Sequence, residues 1–564
     1  MEMPRNTRHP QRSVLWLGLA ALALVVIGSI CVCSYVPALV RNMQVRSEPV
    51  VLEVAYSPEK EALFTALMRD FKARGERLPG GRPVEIRATA VDPDVMIEDA
   101  LAGKYQVITP DSSLWLMQLD VAHQGEGGEA TSIGQAASLV GEVTRYAVSP
   151  VVIAMWDDVA RSIGYPGKAI GWRDIMDKAQ SDANFKWSHP STSSASGMLA
   201  TLAEFYAAVG KTRGLSKDDA TAQATLDYVG ALEKTVRHYG EGEVALIQQM
   251  AQNGRSYLDA VVVQEQLVIH FNSLGKGKLV AVYPAEGSLW EDHPLALLEQ
   301  PGLTAEQRQA FGMLRDYVLS PAAQQRILQA GYRPVDLSLS LDDPASPIKA
   351  ANGVDPLQPK TVLQVPGAGV LRVVQDVWWY TKRHTNVYLV ADVSGSMEGT
   401  KLSDAKVALQ TFLDQIKGNE ERMGLISFSS RVREEVPLGQ LTTNRDKLTA
   451  AIGGLEAGGN TALLDAVNLA YRRLQALNDR ERINAIVVMT DGQENNSSIG
   501  LSDLVRSIQL GNRQGPPVVV FCIAYGKDAD MRTMERIAGA ADGQARQGDL
   551  NTIRQLYKMI SAYF

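Results

Sequence analysis

Hydrophobic and polar positions divide the chain into three stretches of different rhythm. From Val14 to Val40 no charged residue interrupts 27 positions, beyond the roughly 20 needed to span a hydrocarbon core. Arg5, Arg8 and Arg12 precede this run. The positive-inside rule then puts residues 1–13 in the cytoplasm, makes 14–40 a single-pass signal anchor in the cell membrane, and leaves the bulk of the chain extracytoplasmic. A cleaved signal peptide is the rival reading, but its apolar core is usually only about 7–15 residues long and ends at a small-x-small site. A lipoprotein site would want a small residue where Ile30 precedes Cys31.

From 50 to 335 the pattern alternates between strand and helix periods. Val51–Tyr56 reads as a strand, and Ser57-Pro58 opens a helix with apolar Leu63, Leu67, Met68 and Phe71 on one face. Val84–Ala88, Gln106–Thr109, Val151–Met155 and Ala260–Val263 are further strands. Asp336–Lys360 is rich in Pro, Ser and Asp without sustained period, which reads as linker. Val370–Lys382 is a short amphipathic segment, so 336–382 is taken as linker plus joining helix. Residues 383–564 form a second alternating unit. Its strands are Asn386–Ala391, Met423–Phe428, Ile483–Thr490 and Val518–Tyr525. Its helices are Lys401–Ile416, Ala462–Leu477, Met531–Ala538 and Leu550–Ala562. The fold class is therefore α/β with partly parallel sheets, and 564 residues are too many for one core.

Composition and charge remove some classes of function. A net charge of −7 with no basic, aromatic-interleaved patch gives no reason to expect nucleic acid. Cys31, Cys33 and Cys522 lie in apolar runs with no partner spacing, so neither a disulfide framework nor a zinc site is indicated. No Gly-x-x-x-x-Gly-Lys phosphate loop and no His-Glu-x-x-His is present.

The strongest chemistry lies at strand ends in the C-terminal unit. Asp392-Val-Ser394-Gly-Ser396 follows a strand directly and turns one carboxylate and two hydroxyls toward a common point. Alone, such a turn is more often a loop that caps a helix. Thr461 on the Gly458-Gly-Asn loop and Asp491 in Thr490-Asp491-Gly492, after a second strand, complete an all-oxygen set suited to Mg²⁺, with Ca²⁺ or Mn²⁺ as alternatives. Together these segments resemble the von Willebrand factor A (VWA) family with its metal-ion-dependent adhesion site, over residues 383 to 564. The resemblance implies a doubly wound sheet, with Asp392, Ser394, Ser396, Thr461 and Asp491 around a divalent cation. It also implies a protein partner that supplies Asp or Glu to the metal's open position.

The stretch 50–335 resembles bacterial extracellular solute-binding proteins of the two-lobed periplasmic type. The resemblance rests on Tyr56-Ser57-Pro58, Val107–Trp115, His189–Gly197, Val263–Gln266 and Val282–Gly287. It implies a cleft that takes a small polar ligand or oxyanion, with Ser57, Ser112, Ser113, Ser193, Ser194, Ser196, Tyr283 and Glu286 as candidate ligand residues. A Ser/Thr-rich turn before a helix favours an anion, but the same side chains also serve as caps. The expectation is a non-enzymatic membrane-anchored binding protein. The alternatives are a transport-associated solute receptor and a metal-dependent hydrolase. The metal motifs themselves hold no His or Lys to act as base.

Overall fold

The computed structural model describes residues 48–124, 138–240, 242–416, 418–526, 528–548 and 560. The anchor expected over 14–40 lies outside these residues, as does nearly all of the helix expected at 550–562. Among the described residues no helix is long and apolar enough to cross a membrane.

Three sheets organise the chain. In the first, Val50–Tyr56 pairs in parallel with Val84–Ala90 and Val107–Thr109. Pro294–Leu298 then returns antiparallel between Val107–Thr109 and Val140–Arg145. In the second, Ala147–Trp156 is the hub, antiparallel to Arg333–Pro334, Ala260–Gln264, Leu279–Val282 and Trp290–Glu291. The chain passes between these sheets at residues 145–147, again near 291–294, and finally comes back to the second at Arg333. The result is two lobes joined by crossing segments. Helix Glu61–Ala73 buries Leu63, Leu67 and Phe71 as their spacing predicts, with Phe64 in place of Met68 as the fourth buried side chain.

The third sheet has the order Val432–Gln440, Arg422–Phe428, Thr385–Asp392, Ile483–Thr490, Val518–Tyr525, Ala545–Gly548. All neighbours are parallel except the first pair. Three of its strands are buried at every residue. This is why they read as continuous apolar runs, since helices cover both faces of a parallel sheet. The edge strand Val432–Gln440 mixes half-buried and exposed positions, buries only Val436 and carries Pro437, so it offers no apolar run to read. Strand order reverses between Thr385–Asp392 and Ile483–Thr490. Their carboxyl ends therefore flank the switch point at which open α/β sheets bind ligands.

Residues 336–367 have little regular structure but are packed rather than loose. Ile348, Val354 and Leu363 are buried. The Ser288 and Leu363 amides donate to the Thr361 and Ser288 carbonyls, each at 3.0 Å. Polar composition concealed three apolar anchors spaced at irregular intervals. Helix Ala368–Thr381 buries Leu371, Val374, Trp378 and Thr381. Through them one apolar cluster runs from the second lobe into Leu402, Leu409, Phe412 and Met423 of the C-terminal unit.

Candidate metal centre and inter-lobe cleft

Asp392 is the last residue of its strand and wholly buried. Its Oδ1 accepts from the Ser394 amide at 2.7 Å, and its Oδ2 accepts from the Thr490 hydroxyl. The turn that follows brings Ser394 Oγ within 3.0 Å of Ser396 Oγ, which in turn donates to Asp491 Oδ1 at 2.6 Å. The third loop is tied to the first by two backbone bonds. The Gly395 amide donates to the Gly459 carbonyl at 3.0 Å, and the Gly458 amide to the Val393 carbonyl at 2.8 Å. Gly459 has φ +87° in this link, a conformation that side chains rarely adopt. Thr461 is held by its amide donating to Asn495 Oδ1 at 2.9 Å, and its carbonyl accepts from the Asn495 and Asn496 amides.

The structure thus brings all five oxygen-bearing residues together. A Cβ placed on Gly492 would lie 3.2 Å from Thr461 Oγ1 and 3.5 Å from Ser396 Oγ, so the absent side chain leaves a cradle between the three loops. Burial pushes the Asp392 carboxyl up to about 6, opposed by its hydrogen bonds and reinforced by the negative Asp491 beside it. Two buried carboxylates with hydroxyls and no histidine or thiol make a hard donor set, and such a set suits an octahedral divalent cation. Asp392, Ser394, Ser396, Thr461 and Asp491 would hold that ion, and Ser396 on the exposed side leaves access from solvent.

Sequence reasoning missed two participants. Lys401, from the first turn of helix Thr400–Gln415, pairs with Asp491 Oδ2. It stands five residues past Ser396 on a helix, a spacing that no single-loop motif registers. Asn495 clamps Thr461 from the loop after Asp491. Asp465, a neighbour by sequence, does other work, accepting from the Ser498 amide at 2.8 Å and the Ile499 amide at 3.2 Å.

The solute-cleft candidates scatter. A cavity of about 650 Å³ opens between the lobes, lined by Glu59, Asp92, Asp94, Asp99, Tyr105, Ser193 and Ser194, and closed on one side by Trp378 and Trp379. Ser194 caps helix Ala195–Val209, accepting from the Gly197 amide at 3.1 Å, and Ser193 pairs with Ser191. Ser57 is buried and accepts from the Asp111 amide at 2.9 Å. Ser112 accepts from the Leu114 amide at 3.3 Å, and Ser113 donates to Asp292 Oδ2 at 2.6 Å. Ser196 bonds the Glu243 carboxylate. Ser57, Ser112, Ser113, Ser196, Tyr283 and Glu286 do not line the cavity. The Tyr283 hydroxyl donates to Glu265 and accepts from the Asp355 amide at 3.1 Å, while Glu286 caps helix Trp172–Ser181 through the Trp172 amide at 3.2 Å. Their hydrogen-bonding capacity is spent on local structure, as the capping alternative allowed.

Acidic residues dominate this interface. Asp92 and Asp94 follow the carboxyl end of strand Val84–Ala90, the same strand-end position that signalled the metal motif. Deeper between the lobes lie Asp111, Glu243, Glu291 and Lys60, all buried. Burial lifts Asp111 to about 6 and Glu243 to about 8, and lowers Lys60 to about 8. Neither Glu291 carboxylate oxygen has a hydrogen-bond partner among the described residues.

Two family models match the chain. The von Willebrand factor type A domain matches residues 386–558, and the bacterial extracellular solute-binding protein family matches residues 52–333. Human inter-alpha-trypsin inhibitor heavy chain H4 is 30% identical over 171 residues, covering 29% of this chain and 18% of its own. An uncharacterized protein of Mycobacterium tuberculosis is 26% identical over 310 residues, covering 52% of this chain and 42% of its own. This chain therefore spans less than half the length of either relative. Among solved structures, a periplasmic thiamin binding protein superposes with TM-score 0.41 at 14% identity, over 59% of this chain and 96% of that one. With one model spanning half of its length, the chain belongs to the bacterial extracellular solute-binding protein family and carries a von Willebrand factor type A domain behind the solute-binding domain.

Proposed function

We propose that this chain is a binding and scaffolding protein whose C-terminal domain uses a divalent cation, Mg²⁺ in the first instance, to dock an acidic residue of a partner protein. The observation that carries this reading is the meeting of Asp392, Ser394, Ser396, Thr461 and Asp491 at the switch point of the sheet, with Ser396 open to solvent. When bound, the ion supplies an electrophilic point for a carboxylate from outside. The residues supply its cage and its orientation, with Thr490 and the Ser394 amide fixing Asp392. The apolar run 14–40 tethers the assembly to the membrane. Binding is preferred to hydrolysis because the three metal motifs themselves hold no His or Lys to act as base. Lys401 is engaged with Asp491 as a cation. The test is capture of partners from solubilised membranes by the full chain with and without a chelator. Chelator-sensitive capture that Asp392→Ala abolishes supports the reading, and capture indifferent to both refutes it.

A second reading, a solute receptor, is favoured by the cavity between the lobes. Glu59, Asp92, Asp94 and Asp99 on its wall, with Trp378, Trp379 and Tyr105, suit a cationic or amine-bearing solute. An oxyanion would meet four carboxylates there against the guanidinium of Arg546, so the acidic wall redirects the oxyanion expectation. Calorimetric titration of the full chain with organic amines and with sulfate discriminates the two, and binding of sulfate alone would reverse this assignment.

A further inference from the structure

Away from both sites, three ionisable side chains converge inside the second lobe where it meets the joining helix. His189 follows strand Trp187–Ser188, Glu204 projects from helix Ala195–Val209, and Glu233 ends helix Gln223–Glu233. All three are 0% exposed. One ligand atom from each lies within 4.8 Å of the other two. His189 Nε2 is 3.2 Å from Glu233 Oε2 and 4.0 Å from Glu204 Oε1.

The surroundings orient these groups as a metal's outer shell does. His189 Nδ1 lies 2.7 Å from the Pro190 carbonyl, and that carbonyl can only accept. The proton therefore sits on Nδ1, and in the neutral ring the Nε2 lone pair points at the carboxylates. Glu233 is fixed on both oxygens, accepting from the Tyr239 hydroxyl at 2.7 Å and the Trp378 indole N–H at 2.8 Å. Neither oxygen of Glu204 has a hydrogen-bond partner among the described residues, and it is wholly buried. A neutral imidazole would set its lone pair against Glu233. An imidazolium would relieve that contact, and Glu204, its carboxyl raised by burial and by the charge of Glu233, would then stay protonated with an oxygen still unpartnered. A cation at about 2.0–2.2 Å from each ligand atom satisfies all three at once and neutralises two buried carboxylates.

We propose that His189, Glu204 and Glu233 bind a structural divalent ion of the zinc class within the junction between the solute-binding domain and the joining helix. One imidazole with two carboxylates selects a borderline ion over Mg²⁺ or Ca²⁺. Through Glu233 and Trp378 the ion fastens the joining helix to the second lobe. Through Tyr239, which accepts from the Arg383 amide at 2.7 Å, it also fixes the entry to the C-terminal sheet.

The test uses the full chain in detergent, carrying Asp392→Ala so that the other site holds no ion. After incubation with zinc and exhaustive dialysis, elemental analysis should find about one zinc per chain. Adding Glu204→Gln should lower zinc affinity on the order of tenfold or more. Zinc X-ray absorption on the Asp392→Ala chain keeps the proposal testable if Glu204→Gln fails to fold. One nitrogen with oxygens, and no sulfur, is expected. A chain that retains no zinc, or one whose zinc shell contains sulfur, overturns the assignment. So does equal zinc retention in folded Glu204→Gln.

Discussion

Replacing Glu421 by glutamine should loosen the seam between the joining helix and the C-terminal domain. Glu421 precedes strand Arg422–Phe428, and its side chain is 1% exposed. Its Oε1 lies 2.7 Å from the Nζ of Lys382, itself 0% exposed, and its Oε2 accepts from the Thr385 amide at 2.6 Å. The Lys382 ammonium also rests 5.2 Å from the centre of the Trp379 ring. Burial alone would raise the Glu421 carboxyl, but the Lys382 charge, with hydrogen bonds from His384, Lys382 and Thr385, overcomes it and holds the group down to about 2. The gap from its ordinary 4.5 to about 2 corresponds to about 3 kcal/mol in favour of the folded, ionised form. Because the folded value is depressed, this contribution is complete above the unfolded value. It drains away as pH falls from about 4.5 toward 2. Glutamine keeps the shape but removes the countercharge from a buried ammonium, which costs up to about 3–5 kcal/mol. A chain of several cores does not unfold in one step, so the assay is hydrogen exchange resolved to peptides from 368–381 and 385–392. Exchange in both should rise sharply in Glu421→Gln at pH 7 and recover in a Lys382→Met, Glu421→Leu double variant. Unchanged exchange in Glu421→Gln would show that the pair contributes nothing and refute the reasoning.

Binding of the cation to the C-terminal cage should weaken with acid, since Asp392 must lose its proton and its folded value is about 6. Calorimetric affinity for Mg²⁺ should fall about tenfold from pH 7 to pH 5, and a flat profile would contradict it. For the cation-free domain the sign is opposite. A raised folded value favours the fold below about 3.8, and that support is lost as pH climbs through about 6. Lys401→Ala removes an ammonium that competes for Asp491. Cation affinity should then tighten by up to about fivefold, as expected for one partly exposed ion pair. Weaker binding would mean that Lys401 supports the cage.

The C-terminal sheet was legible because its central strands are buried on both faces. Thr385–Asp392, Ile483–Thr490 and Val518–Tyr525 therefore announce themselves as apolar runs ending in chemistry. The cage was legible because its donors sit in three short segments at strand ends. The cleft was less so. Serines that could bind an anion are the same serines that cap helices, and Ser194 does the latter. Acidic residues on the cavity wall come from separate loops whose meeting depends on how two lobes close, which no local spacing records. The junction cluster was invisible for the same reason. His189, Glu204 and Glu233 lie in a turn and two helices, and a lone histidine within a serine-rich turn carries no ligand spacing.

Calorimetric titration of Mg²⁺ into the full chain and its Asp392→Ala variant tests most directly whether three loops of the C-terminal domain cage a hard cation. Saturable uptake by the wild-type chain that disappears in the variant, with circular dichroism unchanged, is the expected result. Equal uptake by both chains, or none by either, would contradict the account.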